Sequence, residues 1–92
     1  MEAQPRLMEG AFRTMDEPRA GIYRHFKGNL YRLTSIAKHS ETLEPLVVYQ
    51  ALYGERGLWV RPLPMWSERV VRDGYDGPRF QYVCEREEDI PR

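Results

Sequence analysis

Apolar and polar residues alternate with a period of two through most of the middle of the chain, the spacing of side chains on a half-buried strand. From Gly21 to Phe26, residues Ile22, Arg24 and Phe26 fall on one face and Tyr23 and His25 on the other. Lys27-Gly28-Asn29 follows as a turn, because Gly28 and Asn29 both tolerate positive φ. Leu30 to Lys38 sets Tyr31, Leu33, Ser35 and Ala37 against Leu30, Arg32, Thr34, Ile36 and Lys38, and reads as the antiparallel partner of the first strand. His39 to Glu44 is a polar, turn-like connection.

The densest apolar stretch runs from Pro45 to Met65. Its first half carries Leu46, Val48, Gln50 and Leu52 on one face and Val47, Tyr49, Ala51 and Tyr53 on the other. Both faces are apolar, so this segment is expected to be a central strand covered on both sides. Gly54-Glu55-Arg56-Gly57 is a hairpin connection. Leu58 to Pro62 returns from it, with Leu58 and Val60 directed to the core and Trp59 and Arg61 away from it. The expected core is therefore Leu46, Val48, Leu52, Leu58 and Val60. Val47, Tyr49, Tyr53, Trp59 and Arg61 form the opposite face.

Pro62 and Pro64 end the ladder, since proline donates no hydrogen bond to it. Met65 to Arg72 predicts one or two helical turns, with Met65, Trp66, Arg69 and Val70 on one side, and Asp73 to Pro78 a loop. Arg79 to Cys84 is the last strand. Four to five short strands and one short helix point to a mainly β fold: a small antiparallel SH3-like barrel, with an open α+β sheet under one covering helix as the alternative. Residues 1–20 read as a mobile N-terminal arm, 21–84 as one small domain and 85–92 as a solvated acidic tail. In the arm, Leu7, Met8, Ala11, Phe12 and Met15 fall at helical spacing, so a short amphipathic turn docked on the body is a second reading.

Composition narrows the function classes. The chain has 92 residues, 41% hydrophobic and 30% charged, which fits one globular domain and excludes a fully disordered chain. Fourteen basic and fourteen acidic residues cancel, which argues against a general polyanion binder while leaving room for a local basic patch. Cys84 is the sole cysteine, so neither an internal disulfide nor a cysteine-rich metal site is expected. There is no membrane-spanning run and no signal-peptide core, and the expected location is cytoplasmic.

The segments GIYRHFKGNLY, HSET, VVYQALY and WVRP closely resemble a bacterial family of domains of unknown function, number 1653. The resemblance runs from Gly21 to about Phe80. Where this chain has Trp66, the family usually has phenylalanine. The resemblance implies a small stand-alone β domain and transfers no catalytic residue.

Two groups of residues carry candidate chemistry. His39, Glu41 and Glu44 share one loop, and with Arg61 they are the set a small metal-dependent or other enzyme would use. His25 is separated from His39 by the full second strand, roughly 30 Å if extended, which opposes a shared site. A turn whose Ser40 and Thr42 hydroxyls cap backbone groups is the plainer reading of the loop. Cys84 precedes Glu85, Glu87, Glu88 and Asp89, and those negative neighbours oppose thiolate formation. The second group mixes aromatic and basic side chains: Tyr23 with His25, Tyr49 with Tyr53, and Trp59 with Arg61, beside Arg24, Lys27, Arg32 and Arg79. Arg61 either clamps Glu41 or Glu44 across the hairpin or presents its guanidinium to an anionic ligand, and the sequence admits both.

A non-catalytic binding module is the leading reading. Its tentative ligand-binding residues are Tyr49, Tyr53, Trp59, Arg61, His39 and Glu41, and its ligand a nucleic acid, a peptide or a small anion. No catalytic residue, metal ligand or cofactor is assigned. A third reading is an assembly subunit that forms a homo-oligomer through an exposed strand edge.

Overall fold

The computed structural model describes residues 17–91. The first sixteen positions of the expected arm, including its amphipathic spacing, lie outside the described residues. Strands β1 (Gly21–His25), β2 (Leu30–Lys38), β3 (Pro45–Ala51) and β4 (Leu58–Pro62) are followed by a four-residue helix, α1 (Leu63–Trp66). Strands β5 (Arg69–Arg72), β6 (Tyr75–Pro78) and β7 (Phe80–Cys84) follow, and a 3₁₀ turn spans Glu87–Asp89. The sheet order is β4-β3-β2-β1-β7, with β5-β6 as a separate hairpin, and every pair is antiparallel.

Among the described residues the fold is thus mainly β with one short helix, and the sheet is open: β4 and β7 are its two edges and do not pair. The chain between them is used for α1 and the β5–β6 hairpin, which bury Trp66 and Val70. Trp66 packs with Tyr23, Leu33, Val47, Tyr49 and Phe80 in one cluster, so a plug covers the apolar face where barrel closure otherwise would. The expected helix over Met65–Arg72 is corrected accordingly. It starts at Leu63 and ends at Trp66, and Arg69–Arg72 is a strand. The β-branched pair Val70-Val71 favours extended backbone. Asp73 (φ 53°) and Gly74 (φ 82°) both take positive φ, as a type I′ hairpin requires.

The core face is also the reverse of that expected. Val47, Tyr49 and Ala51 are buried, whereas Leu58 and Val60 are 69% and 59% exposed and Leu46, Val48 and Leu52 are half-buried. A β-bulge in β2 lies between Leu33 and Ser35. It inserts one residue, so Leu33 and Ile36 both pack toward the same cluster although strict alternation separates them. Register then follows: Tyr49 pairs with Leu33 and Trp59, and Val47 with Ile36 and Arg61. Paired residues share a face, so the aromatic side of β1, β2 and β7 selects the Val47–Tyr49 side of β3.

The C-terminal segment takes part in the fold. Ile90 is buried, and Glu87 accepts hydrogen bonds from Arg32 (2.7 Å) and Arg56 (3.0 and 3.2 Å). That turn lies over the Arg32 side of the sheet, opposite the Trp66 plug, and ties β2 to the β3–β4 hairpin. Cys84 is half-buried at the end of β7, with its Sγ 3.2 Å from the Arg86 carbonyl.

Candidate functional site

The His39 loop is a folded turn. The His39 Nδ1 accepts the backbone N–H groups of Glu41 (3.1 Å) and Thr42 (3.3 Å), and Thr42 Oγ1 accepts that of Glu44 (3.2 Å). The His39 N–H donates to the Glu44 carbonyl at 2.8 Å, and Glu41 is exposed. Among the described residues no group of three His, Cys, Asp or Glu side chains is placed to hold a metal. Arg61 does not join this loop: its guanidinium carbon sits 5.6 Å from the centroid of the Phe80 ring. No ion pair described for Arg61 involves Glu41 or Glu44, so the expected clamp is absent among the described residues.

The aromatic residues divide between core and surface. Tyr49 is 7% exposed, its ring set edge-on to Tyr31 (5.4 Å) and Trp66 (5.1 Å), which removes it from any binding surface. Tyr53 (46% exposed) and Trp59 (59%) remain at the surface. They line a recess of about 250 Å³ together with Ala51 and the Gly54-Glu55-Arg56-Gly57 loop. The recess has firm walls. Tyr53 and Tyr31 share a 2.8 Å hydroxyl–hydroxyl hydrogen bond, Gln50 Nε2 donates to the Arg56 carbonyl at 3.2 Å, and Arg56 is bound to Glu87. Burial, reinforced by the Tyr53 hydrogen bond, pushes the Tyr31 phenol up to about 12. The Arg56 hydrogen bond lowers the Glu87 carboxyl below its usual range, and desolvation opposes it in part.

A second feature was not legible from local spacing. Phe26 and Phe80 lie next to His25, at centroid distances of 4.6 and 4.9 Å. Arg72, Arg79 and Lys27 stand 5.1, 5.8 and 5.9 Å from the Phe26 ring, and Arg61 stands over Phe80. Those residues are scattered in sequence. The pairing of His25 with Phe80 and the turn back through β5 and β6 bring them together. His25 Nδ1 accepts the Lys27 backbone N–H at 3.1 Å, so the neutral ring carries its proton on Nε2.

Desolvation lowers the His25 pKa, and Arg79, Arg61, Lys27 and Arg72 lower it further. Its NMR titration midpoint is expected below the ordinary value of about 6.5. Arg79→Gln is expected to move that midpoint upward, and an unmoved midpoint would show that Arg79 does not act on the ring. The unfolded chain then takes up this proton before the folded one does. The His25 contribution to stability is therefore complete above about pH 6.5 and is lost as pH falls toward the folded-state value.

Comparison with known proteins places this geometry in a family. No curated protein matches the chain. A crystal structure of a DUF1653 protein from Bordetella bronchiseptica is 40% identical in sequence, with a TM-score of 0.71, over 77% of this chain and 94% of that one. The model of the family described as protein of unknown function (DUF1653) matches residues 21–82, from the start of β1 to Tyr82 in β7, and the chain belongs to that family.

Proposed function

We propose that this chain is a non-catalytic interaction module that takes an extended apolar peptide segment along β4. One observation carries the reading. Edge strand β4 exposes three consecutive large apolar side chains, Leu58 (69%), Trp59 (59%) and Val60 (59%). An edge strand presents unpaired backbone N–H and C=O groups, and proteins ordinarily shield such an edge with charge, bulges or a covering element. Here the exposed part of the edge is apolar, which suits β-strand addition by a partner. Pro62 limits the new ladder to the residues before it. The recess between Tyr53 and Trp59 is smaller than the roughly 300–1,000 Å³ of a small-molecule pocket, and it fits one side chain of the added strand. Zero net charge favours this reading over a nucleic-acid track.

Peptide-display selection against the intact chain, followed by titration of the selected peptide, tests the proposal. Trp59→Ala is expected to leave the unfolding free energy within about 0.5 kcal/mol of the parent, because the side chain is exposed. The same change is expected to weaken peptide binding by about tenfold or more, as loss of an aromatic anchor does. Val60→Lys, which charges the edge, is expected to abolish binding with the fold intact. Peptides that bind both variants like the parent, or selection of none, would reject the reading. Concentration-dependent sedimentation abolished by Val60→Lys would instead identify a second copy of the chain as the added strand.

A further inference from the structure

Positive charge is concentrated around Phe26 and Phe80 far beyond what a net-neutral chain requires. Lys27 lies in the β1–β2 turn, Arg61 on β4, Arg72 on β5 and Arg79 just before β7, so four separate parts of the fold each bring one cation to the same two rings. Each cation gains attraction from a ring face, but like charges held this close repel one another. Among the described residues one carboxylate answers them: Glu68, which accepts from Arg79 Nη2 at 3.0 Å. Among the described residues the Nε–H groups of Arg61 and Arg79 are buried without a hydrogen-bond partner, as is the indole N–H of Trp66, which stacks on Phe80 at 3.7 Å. A buried polar group without a partner is uncommon in a folded protein, and an anion that reached these groups would satisfy them. Neutral His25 adds an Nε2–H donor beside both rings.

We propose that the Phe26–Phe80 cluster is a binding site for a multiply charged oxyanion, held by Arg61 and Arg79, with Lys27 and Arg72 at its rim and His25 as a neutral donor. Arginine is the side chain best shaped for this, because its planar fork matches the paired oxygens of a phosphate or a carboxylate. The site is distinct from the peptide edge in what it requires. It needs no partner strand, and the β4 reading needs no anion.

The test follows the amide and His25 ring signals of the intact chain by NMR during addition of inorganic phosphate, citrate or sodium chloride at matched ionic strength. The expected result is saturable movement at Phe26, His25 and Arg79 with phosphate or citrate and none of that kind with chloride. The better of the two anions tells a phosphate group from a carboxylate cluster as the ligand chemistry. Bound anion offsets the charges of Arg79, Arg61, Lys27 and Arg72 that face His25, so the His25 titration midpoint is expected to rise on saturation. Glu68, bonded to Arg79, already offsets part of that cation's charge, which limits the size of the rise. Arg61→Gln combined with Arg79→Gln is expected to weaken binding at least tenfold, whereas Lys38→Gln, the loss of one cation at the end of β2, leaves it unchanged. If the double variant fails to fold, Lys27→Gln with Arg72→Gln, both at exposed positions, serves the same purpose with an expected loss of threefold or more. Equal responses to all three salts, or binding untouched by these variants, would overturn the proposal.

Discussion

Trp66→Ala is expected to remove about 3–5 kcal/mol of folding free energy, as truncation of a buried tryptophan does. A domain this small has only about 5–15 kcal/mol to lose, and its size puts it at the low end of that range. The indole is 2% exposed, lies flat on Phe80 (3.7 Å, interplanar angle 3°) and meets Tyr23 and Tyr49 edge-on at 5.2 and 5.1 Å. Its helix is four residues long, with no side-chain cap and Pro64 in its first turn. Such a helix has no stability of its own. It is held by Trp66, and Trp66 in turn closes the open face of the sheet. Loss of the ring therefore opens a cavity and releases the segment that would otherwise collapse into it.

Trp66→Phe is expected to behave differently. The smaller ring keeps the stack on Phe80, and it sheds an indole N–H that is buried without a partner. A buried unsatisfied donor costs on the order of 1–3 kcal/mol, which offsets much of the lost contact area. A net loss below about 1.5 kcal/mol is expected. Urea unfolding of both variants gives the comparison. A Trp66→Ala loss below 1.5 kcal/mol would mean that the plug does not close the sheet, and a Trp66→Phe loss as large as that of Trp66→Ala would mean that indole area alone holds it.

The plug also explains which parts of the fold were legible in the sequence. Strand positions follow from local alternation, and β2 and β4 occupy the residues that the alternation predicts. The assignment of faces is not local. Val47-Tyr49-Ala51 and Leu46-Val48 are both apolar, and the choice between them depends on what covers the sheet. Here the cover is Trp66, which arrives from a segment whose helical spacing breaks off after one turn. The bulge at Thr34, whose Oγ1 donates to the Val48 carbonyl at 2.9 Å, shifts the phase of β2, and no residue type at that position announces it. The Asp73-Gly74 hairpin was marked in the sequence by a turn pair that favours positive φ, and the competing helical reading of Met65–Arg72 obscured it.

The same contrast runs through the candidate residues. Trp59 and Tyr53 are exposed, but not for the reason the strand pattern gives: Trp59 pairs with Tyr49 on the core side and is exposed because β4 is an edge, whereas Tyr49, one strand further in, is core. His39 and Glu41 are absorbed into a turn by hydrogen bonds between near neighbours in sequence. The cationic group around Phe26 joins residues from both ends of the domain, so it becomes visible only once β1 pairs with β7.

Gly21→Ala is the second substitution with a large expected effect, about 2–4 kcal/mol of destabilisation. Gly21 has φ 143°, in the region that L side chains rarely adopt. That strain alone costs on the order of 1–3 kcal/mol. A Cβ there would also lie 2.8 Å from Tyr82 Cε1 and 2.9 Å from the Cys84 carbonyl oxygen. Neither neighbour gives way cheaply. The carbonyl is backbone, and it adjoins the register shift where Ile22 pairs with Cys84 and Tyr23 with Tyr82. The Tyr82 ring is fixed by an Arg19 hydrogen bond of 2.7 Å, by the Arg19 guanidinium 3.9 Å above it, and by an edge contact with Tyr23 at 5.4 Å.

Gly28→Ala separates the two causes, because Gly28 has φ 110° and nothing within 4 Å of an added Cβ. It is expected to show the backbone strain without the clash and so to lose less than Gly21→Ala under the same denaturant titration. Equal losses would assign the whole effect to backbone conformation. If Gly21→Ala retains parental stability, β1 does not approach β7 as closely as this packing requires, and the β1–β7 junction that brings His25 to Phe80 would itself be in question.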